Sequence, residues 1–131
     1  MKVDLRWLVV LHLTRFVGFY FFFLCRRGEL PFAFAAPAGW GDITVAGLAV
    51  LLLALSNARN WSMLILWNTI GLTDILFVVM TALRLGLEDW HSMHVLREFP
   101  LSLLPTFLVP LIIVSHVLIF FRAAKLEKRP S

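Results

Sequence analysis

The chain has 131 residues, 60% of them hydrophobic and only 15% charged, with a mean hydropathy of +0.87 and a net charge of +4. A soluble domain is about 45–50% apolar and about 25% charged, and so short a chain cannot hide this much apolar surface from water. A soluble globule, a disordered tail and a nucleic-acid-binding module are therefore excluded, the last because the twelve Lys and Arg are scattered among apolar runs and form no basic stripe.

What remains is a chain dissolved in lipid, where a helix of about 20 apolar residues spans the hydrocarbon core. Each span must be helical, because an open sheet edge leaves backbone groups unpaired there. The predicted fold is all-α, a polytopic antiparallel bundle of four transmembrane helices in a single membrane domain.

The first helix is predicted over 5–24. Lys2 and Arg6 precede its apolar run as they would in a signal peptide. His12 and Arg15 interrupt the apolar run, and no small-residue cleavage site follows, so the segment is expected to be retained. Cys25, the single cysteine, excludes an internal disulfide and a CxxC metal knuckle.

Residues 30–41 are uncharged and apolar but too short to span, and Pro31 and Pro37 punctuate them. They read as an interfacial loop with Trp40 at headgroup depth. The second helix is predicted over 42–57, with Asp42 as its N-cap and Gly47 allowing close helix contact. Asn57 to Asn60 is a tight connection.

The third helix, 61–83, carries Asn68, Gly71 and Asp74. A polar loop follows, in which Glu88, His91, His94 and Glu98 are spaced by three, three and four. If helical, they share a face and suit zinc; otherwise they are exposed loop residues. The fourth helix, 101–121, carries Pro105, Pro110 and His116. Pro110 frees the carbonyl of Thr106, so a kink is expected. The tail from Lys125 to Arg129 reads as solvated, with basic residues suited to anionic lipid.

Lys2, Arg6, Arg59, Arg122, Lys125, Lys128 and Arg129 fall on one side of the spans, and Arg26, Arg27, Arg84 and Arg97 on the other. The positive-inside rule then places both termini in the cytoplasm.

Ionisable groups inside a span are functional candidates by default. Counting ~1.5 Å per residue from the helix ends, His12, Arg15, Asn68 and His116 share one layer, and Asp74 lies ~7 Å beyond Arg15. An Arg15–Asp74 pair is expected, either as adhesion between helices 1 and 3 or as a charge gate. His12 and His116 are candidate ligands for a metal or a b-type haem in the bundle, with Gly18 and Gly71 making room. No phosphate loop, GxSxG or HExxH occurs, so no catalytic residue is assigned.

Several motifs look familiar together. They are Arg15-x-x-Gly18; Gly28-Glu29-Leu30-Pro31; Phe34-Ala35-x-Pro37-Ala38-Gly39-x-Gly41-Asp42; Trp67-Asn68-x-x-Gly71-Leu72-x-Asp74; and Phe99-Pro100-Leu101 through Pro110-Leu111, followed by His116. From about Arg15 to Phe121 the chain resembles a group of small uncharacterised bacterial integral membrane proteins. The resemblance implies bacterial origin and four helices, and carries no known activity.

Three functions are compatible with these residues. The leading one is a non-enzymatic inner-membrane subunit or assembly module, embedded in the lipid bilayer as a homo-oligomer or within a larger membrane complex. The others are a haem or metal electron carrier, and an oligomeric proton or solute pathway lined by Arg15, Asn68, Asp74 and His116.

Overall fold

A computed structural model describes residues 4–55 and 60–127. Among these, every regular element is helical. Helix α1 runs Leu5–Arg26, α2 Phe32–Ala54 and α3 Trp61–Glu88, and α4 begins at Leu104 and ends at Glu127. All four are long and apolar enough to cross a membrane. Lys2, Asn57, Arg59, Lys128 and Arg129 lie outside the described residues.

The helices pack antiparallel in chain order. Phe21 meets Phe34, and Arg15 meets Asp42, so α2 descends beside α1. Trp67 donates from its indole to the carbonyl of Val45, and Asn68 bonds the backbone of His116, which registers α3 against α2 and α4.

The apolar loop expected over 30–41 is not a loop. Pro31 is the extended residue before α2, and the helix runs unbroken from Phe32 through Pro37, Gly39 and Gly41. Pro and Gly break helices chiefly in water, whereas neighbouring elements re-satisfy the backbone between packed apolar helices. Here the small residues make the contact: a Cβ on Gly18 would lie 2.6 Å from the carbonyl oxygen of Gly39. Trp40 therefore sits within α2, 64% exposed on its outer flank and edge-on to Phe22. Gly47 does not make the expected contact, since a Cβ there would meet nothing within 4 Å. Gly71 does: a Cβ there would lie 2.5 Å from Cε1 of His116.

Two helices depart from α geometry. The middle of α1, His12–Val17, is a 3₁₀ segment, which turns His12 and Arg15 both inward. The first turn of α4, Leu104–Leu108, is a π turn closed by the amide of Val109 on the carbonyl of Leu104. The irregularity expected near Pro110 is thus a widened turn just before it, consistent with a proline that supplies no amide to the carbonyl four residues back.

Two buried apolar clusters fill the bundle. One, at the end nearer the α1–α2 and α3–α4 connections, includes Phe21, Leu24, Phe34, Val78 and Leu96. The other, toward the opposite end, includes Val9, Ala49, Leu52, Leu64 and Ile119. A short 3₁₀ helix, His94–Arg97, folds Val95 and Leu96 onto the first cluster.

Candidate functional site

Between the two clusters lies a layer of buried polar side chains contributed by all four helices. Arg15 is 1% exposed. Its Nε donates to Oδ1 of Asp42 at 2.6 Å, one terminal nitrogen donates to the carbonyl of Gly71 at 3.1 Å, and the other donates to the Asp74 carboxylate. One guanidinium thus joins α1 to α2 and α3. Arginine suits this position, because a planar fork with five donors satisfies several acceptors at once.

The expected Arg15–Asp74 pair is present. The N-cap assigned to Asp42 is not. Asp42 lies mid-helix, buried, as the second carboxylate on Arg15. The late start assigned to α2 hid this partner. Counted from Phe32, Asp42 is ~15 Å down α2, level with Arg15 at ~16 Å below Arg26. The Asp74 carboxylate lies against the backbone of Gly41, where a Cβ would overlap it.

Below the ion cluster the two histidines link α4 to α1 and α3. Nε2 of His12 lies 2.9 Å from Oγ of Ser115, whose own proton goes to the carbonyl of Ile112 at 2.7 Å. His12 therefore donates from Nε2. The amide of Asn68 donates to the carbonyl of His116 at 3.0 Å, and its oxygen accepts from Nδ1 of His116 at 2.8 Å. Each ring is left with one buried nitrogen that has no partner, Nδ1 of His12 and Nε2 of His116. The rings are in contact, with centroids 4.2 Å apart, and Trp67 stands edge-on to His12 at 4.9 Å. Ser115 and Trp67 are members of this layer that sequence reading passed over. A serine beside a histidine in an apolar run is the signal that could have found Ser115.

The arrangement bears on the proposed ligands. A haem held by both histidines would stand between the rings, and rings in direct contact leave no layer for a porphyrin. Nor do His12 and His116 gather a zinc set. Among the described residues no three of His, Cys, Asp or Glu come together to hold a metal.

The second candidate set separates. Glu88 closes α3 beside Arg84 at 3.9 Å, while His91 and His94 stack edge-to-face at 6.1 Å beyond it. His94 turns Nδ1 onto the carbonyl of His91, and Glu98 ends the short 3₁₀ helix in extended backbone. These four residues do not share a helical face.

Residues 1–124 match the profile of a family described as Domain of unknown function (DUF8737). The chain belongs to that family. The DUF8737 match takes in α1, α2, α3 and the polar layer whole, and α4 as far as Ala124. No curated protein and no solved structure matches the chain.

Proposed function

We propose that this protein is a non-enzymatic assembly module of a bacterial inner membrane, held rigid by its polar layer and associating with a second copy through the outer face of α3. One observation carries the reading. Thr69, Thr73 and Asp74 form a polar notch on the outside of a helix otherwise faced with Leu66, Ile70, Phe77 and Met80. The hydroxyl of Thr69 is spent on the carbonyl of Ile65, whereas that of Thr73 makes no hydrogen bond among the described residues. The Asp74 side chain keeps 18% of its surface beside it.

In hydrocarbon such groups are stabilised by a neighbouring helix, each interhelical bond contributing about 0.6–2 kcal/mol. A two-fold pair of α3 helices brings each Thr73 hydroxyl to the other copy's Asp74. The lipid bilayer fills the remaining apolar surface.

Cross-linking in isolated membranes tests this. In a Cys25→Ser background, Ile70→Cys, which lines the same notch and leaves Thr73 and Asp74 in place, should form a disulfide-linked dimer on mild oxidation. Phe107→Cys, on the exposed face of α4, should not. An Ile70→Cys protein that stays monomeric, or that cross-links no better than Phe107→Cys, would overturn the reading.

The basic residues flanking the spans favour both termini in the cytoplasm. A cytoplasmic reporter fused after Ser131 should be active; activity of a periplasmic reporter at that position contradicts the orientation.

A second reading, a proton or solute pathway, is favoured by one feature. The Asp42–Arg15–Asp74 cluster borders a cavity between the helices through Arg15 and Asp42 and the outer notch through Asp74. Proton flux into liposomes that is lost in Asp74→Asn would support it over a purely structural layer.

A further inference from the structure

A cavity of about 460 Å³ lies between the polar layer and the α3–α4 connection. That volume is within the range of ligand sites, about 300–1,000 Å³. Its walls are apolar, among them Phe21, Phe34, Val78, Val79 and Ile113. Along α3 it extends from Ile75 to Gly86, roughly 16 Å at the helical rise. An apolar space of this length accommodates a hydrocarbon chain.

The π turn and the two prolines shape one wall. Leu104, Pro105, Leu108 and Pro110 all border the cavity. The cavity reaches the surface between α3 and α4, where Leu83 and Pro105 are exposed.

The end away from the polar layer is different in character. Arg97 lies there with its guanidinium 4.2 Å from the centre of the Trp90 ring, and one terminal nitrogen donates to the Trp90 carbonyl at 2.9 Å. These two contacts orient the fork while using one of its five donors. Arg97 makes no ion pair among the described residues, whereas Arg15, Arg27 and Arg84 each face a carboxylate. A planar guanidinium with free donors, held at the mouth of an apolar channel, is matched to a phosphate at the end of a hydrocarbon chain.

We propose that this cavity is a binding site for an anionic phospholipid, with one acyl chain inside and the phosphate on Arg97. The site stands apart from the Thr73 face, so its failure leaves the self-association reading untouched, and the reverse holds too.

Native mass spectrometry of the full chain in a neutral detergent tests the proposal. Phosphatidylglycerol, diacylglycerol and inorganic phosphate serve as probes. The wild-type protein should retain phosphatidylglycerol about tenfold more tightly than diacylglycerol, which has the same acyl chains and no phosphate, the ratio expected of one charge-assisted contact. Arg97→Gln, a change at an exposed position, should abolish that preference while the protein remains folded, with a loss of melting temperature no larger than that of Trp90→Leu, which removes the ring contact alone. Gly86→Leu should reduce retention of both lipids. A Cβ at Gly86 meets nothing nearer than the Trp90 ring at 4.0 Å, and Gly86 lines the cavity, so a larger side chain there takes up part of its space. Equal retention of the two lipids by the wild type, or an undiminished preference in Arg97→Gln, overturns the proposal. Binding of inorganic phosphate that competes away the lipid would assign the site to a free anion instead.

Discussion

Arg15→Leu should destabilise the protein in detergent more than either substitution of its partners. The guanidinium is the only cation in a cluster with two carboxylates, Asp42 and Asp74. Removing one member of a buried pair costs about 3–5 kcal/mol, because the other charge is left uncompensated. Here the loss strands two. Asp74→Leu is expected to be milder, since Arg15 keeps Asp42 at 2.6 Å and the Gly71 carbonyl at 3.1 Å, and the remaining charges balance.

The same logic orders the combinations. Arg15→Leu with Asp74→Leu should recover only part of the loss, as Asp42 stays buried and unpaired. Adding Asp42→Leu should recover most of the rest. Such strong non-additivity is the signature of groups that act on one another. Melting curves of the five proteins, wild type included, decide it. If Arg15→Leu melts no lower than Asp74→Leu, the cluster does not hold the helices as described.

The second large effect is steric and lies one helical turn away. Gly18→Ala places a methyl group 2.6 Å from the carbonyl oxygen of Gly39 and 3.1 Å from Cβ of Asp42. A backbone carbonyl cannot rotate aside as a side chain can, so α1 and α2 must separate. Overpacking of this kind costs about 1–3 kcal/mol, and the separation also draws Arg15 away from Asp42. Gly47→Ala is the control. Its methyl group meets nothing within 4 Å, and alanine is the better helix former by about 0.5–1 kcal/mol. Thermal melting should fall clearly for the first and hold or rise for the second. Equal losses would mean that the Gly18–Gly39 crossing is not a close contact.

Much of this fold is legible in the amino-acid sequence. Apolar runs of spanning length locate all four helices, because lipid leaves the backbone no other solution. Depth counting brings His12, Arg15, Asn68 and His116 to one level, since the helical rise is nearly constant. The error lies in one stretch. Pro31, Pro37, Gly39 and Gly41 carry turn chemistry that holds in water, and that chemistry sets the start of α2 ten residues late. The displaced boundary then turns Asp42 from a buried partner into a cap. Which nitrogen of each histidine finds a partner is not legible there, because it depends on Ser115 and Asn68 facing the rings from other helices. The cavity is equally hidden, as it arises from the widened first turn of α4 and from the way the 90–97 segment folds back.

The distribution of charge among the helices has a consequence for how such a chain enters a bilayer. Helices α1, α2 and α3 each bring one full charge to mid-depth, Arg15, Asp42 and Asp74. Presented alone to hydrocarbon, each such residue opposes partition by about 2.5–3.5 kcal/mol. Helix α2 is the least able to absorb that cost, being the least apolar of the four. The cost is greatly reduced when Asp42 meets Arg15. Helices α1 and α2 are therefore suited to leave the translocation machinery as a preassembled hairpin, its charges already matched. Helix α3 joins by closing Asp74 onto the same guanidinium. Helix α4 has no acidic or basic side chain between Leu104 and Phe121 apart from His116, and it can partition unaided. The order of synthesis along the chain is thus also the order in which the electrostatic obstacles are removed.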